Sequence, residues 1–207
     1  AAETPERKAV AARLARNAQY YDVARELAMK VSTFCKDGER CFTVCSGGGP
    51  SIMEAANRGA WESGAPSLGM NIVLPHEQVP NPYVTPGLSF QFHYFALRKM
   101  HFLMRAKAVA VFPGGFGTFD EFFELLTLVQ TGKVRPFPII LVGRDYWAGL
   151  VDWIVQRMLD QGCISEDELD LFKLVDNSHQ AAELILQHIS RETDEAAAKS
   201  EPGAEFS

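Results

Sequence analysis

The 207-residue chain predicts an α/β fold: a doubly wound, Rossmann-like parallel sheet with helices on both faces. Three observations carry that reading. Short apolar runs alternate with stretches of helical periodicity along most of the chain. The runs are continuously apolar rather than alternating, which marks strands buried on both faces. Two of them break into glycine-rich turns that lead straight into a helix.

Residues 5–34 place Val10, Leu14, Tyr21, Leu27, Val31 and Phe34 mostly three, four or seven apart, a helix read in two pieces with Asp22 capping the second. Lys36-Asp37-Gly38 ends it. A β-rich run at 41–45 meets Ser46-Gly47-Gly48-Gly49, and Pro50 suits the first turn of a helix reaching Ser63, where Gly64 stops it. Residues 67–73 read as the next strand and 74–87 as a loop with four prolines. A helix over 96–106 precedes a buried strand at 108–112. The turn Pro113-Gly114-Gly115-Phe116-Gly117-Thr118 then opens a helix to Thr131. A strand at 138–142, a helix at 146–161, a strand at 172–175 and a helix at 178–190 close the pattern. One domain therefore spans 1–192, and 193–207, with little to bury, is expected to be disordered.

Composition narrows the function classes. Apolar residues make up 47% and charged residues 22%, and a domain this size needs no disulfide or structural metal. A net charge of −6 argues against general affinity for nucleic acid or acidic lipid. Cysteines at 35, 41, 45 and 163 lack the two-residue gap of a zinc or redox site and read as apolar fillers in a reducing compartment. No apolar run approaches the ~20 residues of a membrane span, and no leader pattern opens the chain. A soluble, cytoplasmic protein is the expectation.

In a doubly wound fold, ligands sit beyond the carboxyl ends of the strands. Both glycine turns fall there. Glycine lets the backbone approach a phosphate closely, and a helix N-terminus offers unpaired N–H groups and partial positive charge. Tight turns need glycine anyway, but two on one sheet edge favour a nucleotide-like ligand. Neither has the Gly-x-Gly-x-x-Gly spacing or a following Gly-Lys-Ser/Thr, so hydride transfer and ATP hydrolysis lose their usual support. His-Glu-x-x-His and Gly-x-Ser-x-Gly are also absent. Asp120 and Glu121 sit in the first turn of the helix after the second glycine loop, with Glu124 a turn later. Acids there offset the helix dipole, but these also share a cleft mouth with a phosphate loop. Arg98-Lys99 lies on the helix leading into that strand, positioned to reach back to a phosphate.

Arg98-Lys99, followed by Pro113-Gly-Gly-Phe-Gly-Thr-Phe-Asp-Glu121, resembles the Arg-Lys and Pro-Gly-Gly-x-Gly-Thr-x-x-Glu motifs of the Lonely Guy family. These are cytokinin-activating phosphoribohydrolases, often labelled possible lysine decarboxylases. Ser46-Gly-Gly-Gly-Pro-Ser-Ile-Met-Glu-Ala-Ala-Asn-Arg-Gly-Ala60 is similar to the family's first glycine loop, and the likeness extends over about residues 20–190. It implies hydrolysis of the N-glycosidic bond of a purine nucleoside 5′-monophosphate, AMP or a cytokinin riboside 5′-monophosphate, to free base and ribose 5-phosphate, with no cofactor or metal. The catalytic pair would fall on Arg98 and Glu121. Substrate-binding positions would fall on Glu77, Arg98, Lys99, Gly114, Gly115, Phe116, Gly117, Thr118, Phe119, Asp120 and Thr127, beside Gly47, Gly48 and Gly49 of the first loop. Glu121 would stabilise oxocarbenium-like charge while orienting or deprotonating water; Lys99 and the loop amides would hold the 5′-phosphate. Arg98 either grips the phosphate or assists the departing base, and the sequence does not separate the two roles.

Family members open with a central strand ending in a Gly-Ser turn, and this chain shows no apolar strand before Val10. The first strand is therefore expected to be missing from it. Relatives with similar glycine loops resemble molybdenum-cofactor carriers, so the alternative is a non-hydrolytic binder or sensor of a phosphorylated ligand. The resemblance further implies a homodimer or higher homo-oligomer. The helix opened by Thr118 fits that, being apolar at Phe119, Phe122, Phe123, Leu125, Leu126 and Val129, too broad a face for one sheet contact. The aromatic run Phe90, Phe92, Tyr94 and Phe95 is read as core or subunit contact.

Overall fold

No glycine or proline interrupts residues 6–36, so nothing local stops a helix there. The computed structural model, which describes residues 5–36, 39–40, 42–73 and 79–200, has one continuous helix α1, Pro5–Thr33. The expected break at Asp22 does not occur: its carboxylate sits on the solvent side, 3.7 Å from Arg25 one turn on. The side chains of Val10 and Leu14 lie outside the described set, as do Gly38, Cys41, Glu77 and residues 201–207.

A two-residue pair, β1 (Cys35–Lys36) and β2 (Glu39–Arg40), is antiparallel. Strand β3 (Val44–Ser46) leads through the first glycine turn into α2 (Ile52–Glu62), then β4 (Ser67–Ile72) and β5 (Ser89–Phe92). The sequence reading missed β5. Helix α3 (Phe95–Leu103) precedes β6 (Val109–Val111), and the second glycine turn opens α4 (Phe116–Gln130). Strand β7 (Ile139–Val142), α5 (Arg144–Trp153), a π-helical stretch (Ile154–Leu159), a 3-10 turn (Glu166–Leu171) and β8 (Lys173–Val175) lead to α6 (Ser178–Ser200). Helix α6 runs on beyond residue 192, where the composition predicts the ordered chain to end.

The α/β class holds: the strands that flank both glycine turns pair in parallel and carry helices. They do not, however, form one ladder. Among the described residues they make two three-stranded sheets, β3-β4-β5 and β6-β7-β8, with β3 and β6 unpaired to each other. Strand β7 shows why the class was legible. All four of its residues are buried, Ile140 and Val142 against α1 and α6, Ile139 and Leu141 against α4 and α5. One core joins Ala24 and Leu27 of α1 to Ala55 of α2, Phe112, Val175, Ala181 and Ile185. The other joins Val111 to Phe122, Leu125, Val129, Trp147 and Phe172. Helix α1 bridges the halves because α2 comes very close: a Cβ on Gly59 would collide with the Arg25 carbonyl oxygen.

Candidate active site

Both glycine turns follow the carboxyl ends of parallel strands, and one side chain runs from the first turn to the helix that the second one opens. Arg98, on α3, donates through Nε to the Met70 carbonyl of β4 at 2.8 Å. Its Nη2 lies where a Cβ on Gly47 would come within 2.8 Å, so it runs along the first turn. Its Nη1 lies 3.6 Å from Glu121 Oε1 in the first turns of α4. The guanidinium also stacks on Phe102, 4.9 Å from the ring centre. Arg98 and Glu121 are thus brought together from helices α3 and α4.

Burial sets their electrostatics. Desolvation raises the Glu121 carboxyl above the ordinary glutamate range, against Lys99 and Arg98, which pull it down. Desolvation likewise lowers Arg98, opposed by Glu121. The pair is a half-buried carboxylate and a cation that both give up water to sit together.

Lys99 is held elsewhere. Its Nζ lies 2.6 Å from Asp120 Oδ2 and 2.8 Å from Glu124 Oε2, tying α3 to α4. Burial works to lower its pKa, but the two carboxylates outweigh it and the ammonium ends above its ordinary value.

In the second turn, Gly114 has no room for a Cβ, which would strike Thr118 Oγ1. Gly115 caps α4, its carbonyl accepting from the Thr118 and Phe119 amides. The N–H groups opening a helix have no partner within it. The Gly114 carbonyl accepts a 2.6 Å bond from Tyr146 Oη of α5. Phe116 is 96% exposed at the turn's tip. Phe119 points the other way, its ring 5.3 Å from that of Trp147. Thr127 lies farther along α4, its hydroxyl donating to the Phe123 carbonyl. Glu77 falls outside the described residues.

The first turn is fixed by a buried polar network that the motif reading missed. Ser46 Oγ donates to Asn57 Oδ1 (2.6 Å), and Asn81 Nδ2 donates to the same oxygen (2.9 Å) and to the Gly49 carbonyl (3.0 Å). Asn57 Nδ2 donates to Leu68 O, the Gly48 amide to Ser46 Oγ, and the Asn81 amide to the Gly48 carbonyl. The available signal was an asparagine inside the apolar face of α2.

A family model described as possible lysine decarboxylase matches residues 53–185, more than half of the chain. The chain belongs to the Lonely Guy family. Over 178 residues it is 23% identical to a cytokinin riboside 5′-monophosphate phosphoribohydrolase of Arabidopsis thaliana, covering 84% of this chain and 79% of that protein. A rice protein of the same description is 25% identical, with coverage of 83% and 67%. A pyrimidine/purine nucleotide 5′-monophosphate nucleosidase of Escherichia coli K12 is 29% identical over 136 residues, which span 58% of this chain but 29% of the nucleosidase. Among solved structures, the molybdenum cofactor carrier protein of Chlamydomonas reinhardtii superposes with a TM-score of 0.56 at 20% identity, covering 83% and 89% of the two chains. That likeness concerns the fold. No helix among the described residues of this Lonely Guy family chain is long and apolar enough to cross a membrane.

Proposed function

We propose that this chain is a hydrolase that splits the N-glycosidic bond of a purine nucleoside 5′-monophosphate, AMP or a cytokinin riboside 5′-monophosphate, to free base and ribose 5-phosphate. The observation that carries this reading is the half-buried Arg98–Glu121 pair, which joins the first glycine turn to the helix opened by the second. The names of the relatives, phosphoribohydrolases and a nucleotide nucleosidase, support the same reaction class.

Glycosidic cleavage builds positive charge on the ribose, and a carboxylate beside it stabilises that charge and orients or deprotonates water. Glu121 takes this role. The amides opening α4 seat the 5′-phosphate, so that binding energy far from the bond places the sugar. Arg98 lies along the first turn, paired with Glu121, and serves either the phosphate or the departing base. Lys99, engaged by Asp120 and Glu124, reaches a phosphate only by exchanging those partners. Without that exchange its part is to hold α3 on α4.

The working unit is a homodimer or larger assembly, because α3 leaves its apolar side bare next to the site. The test of the reaction is incubation with AMP, adenosine and a panel of nucleoside monophosphates, measuring free base. Adenine from AMP and none from adenosine is expected, with release lost in Glu121→Gln. Tight AMP binding with no base released would instead favour a carrier or sensor of phosphorylated ligands.

A further inference from the structure

We propose that Tyr146 is a positioning residue for phosphate: its hydroxyl locks the Gly114–Gly115 peptide so that the Gly115 N–H faces the ligand. This rests on the phosphate seat proposed above. Tyr146 stands on α5, a different element from the turn it touches, 32 residues away in sequence. Its Oη donates to the Gly114 carbonyl at 2.6 Å. The Tyr146 ring meets Trp147 edge-on at 4.9 Å, and Trp147 is fully buried, donating through Nε1 to the Val142 carbonyl. The hydroxyl is therefore presented from a fixed base.

The consequence is geometric. A trans peptide is planar, with its C=O and N–H pointing in opposite directions. Holding the Gly114 oxygen on Tyr146 turns the Gly115 N–H to the other side of the turn. This peptide joins two glycines, so no side chain resists its rotation, and it is the plane most in need of an outside restraint. Rotated the other way, it would present a carbonyl oxygen to the phosphate, replacing attraction with repulsion. Thr118 also limits the turn, since its Oγ1 occupies the space of a Gly114 Cβ. Neither of these contacts touches the Arg98–Glu121 pair, so the restraint acts on binding rather than on bond cleavage.

Tyr146→Phe removes the hydroxyl and keeps the ring on Trp147. Its melting temperature is compared with wild type, AMP hydrolysis is followed for KM and kcat, and ribose 5-phosphate binding and adenosine inhibition are titrated. Loss of one hydrogen bond predicts a roughly 3- to 10-fold rise in KM for AMP and in Kd for ribose 5-phosphate. Both kcat and adenosine inhibition should stay within about twofold, since neither depends on the phosphate seat. Unchanged KM and Kd overturn the assignment. So does an equal loss for adenosine, which would mean general loosening of the site. If wild type neither hydrolyses AMP nor binds ribose 5-phosphate, the proposed function fails, and the role of Tyr146 goes with it.

Discussion

The catalytic role proposed for Glu121 comes at a cost that pH exposes. Burial raises its pKa in the fold, so the stability it contributes is present below the unfolded value and lost as pH rises through the folded one. At neutral pH the ionised carboxylate therefore weighs against folding. Glu121→Gln should be no less stable than wild type near neutrality, with the difference narrowing in acid, as thermal scans across pH would show. The same shift sets activity: kcat/KM for AMP should fall as pH drops through the raised value, and the variant should lose at least about 100-fold. A second residue is strained outright. Ser51, in the first glycine turn, has φ 63° and ψ −124°, and among the described residues no other non-glycine has positive φ. Such a conformation costs roughly 1–3 kcal/mol, against roughly 0.5–1 kcal/mol for the freedom a glycine adds to the unfolded chain. Ser51→Gly should thus gain about 1 kcal/mol and raise Tm by about 2–4 °C. No rise would mean that the turn is relaxed with serine in place.

At the level of elements, the buried network of Ser46, Asn57 and Asn81 holds the first turn between β3, α2 and the segment after residue 79. Asn57→Leu fits the volume but leaves the Ser46 hydroxyl, the Asn81 amide and the Leu68 carbonyl without that partner. Each orphaned group costs about 1–3 kcal/mol before any relaxation. The expected loss is about 2–4 kcal/mol in denaturant unfolding, with weaker AMP binding because the turn is loosened. A loss under about 0.5 kcal/mol would show that water replaces the network. How far such features can be read from sequence depends on how local they are. The order of strands and helices was legible because apolar runs and helical spacing are local signals, and β7 buries both its faces as its run implies. Strand β5 escaped because it is largely exposed and lacks a continuous apolar run, its Phe90 and Phe92 falling in an aromatic stretch that reads as core or subunit contact. Asp22 looked like a cap, yet caps compete with continuation, and no neighbouring glycine or proline stopped α1. The motifs singled out Arg98 and Glu121, whose side chains the fold brings together. The diversion of Lys99 onto Asp120 and Glu124, and the reach of Tyr146 to Gly114, were not, since both depend on how helices from different parts of the chain are set.

On the scale of the whole molecule, α3 is amphipathic the wrong way round for a chain on its own. Arg98 and Lys99 turn inward, each side chain 14% exposed, to meet Glu121, Asp120 and Glu124. Phe95, Leu97, Met100 and, just beyond, Met104 face out, with Tyr94 and Phe90 exposed before the helix and Phe116 bare at the second turn. None of the nine residues of α3 is buried. A surface helix ordinarily does the reverse, and large exposed apolar side chains gathered on one element mark an interaction surface. A second copy of the chain suits it, because the same surface on both partners satisfies two-fold self-complementarity. Its nearness to Arg98 and Glu121 would give such an assembly an effect on the proposed reaction: covering α3 would dry the pair and strengthen its field. Sedimentation at micromolar concentration should show a dimer or larger species. Met100→Lys should shift it towards monomer and lower AMP hydrolysis together, with activity recovering as protein concentration rises. A wild-type monomer that is fully active would separate the apolar face from the reaction and leave α3 with a role in folding alone.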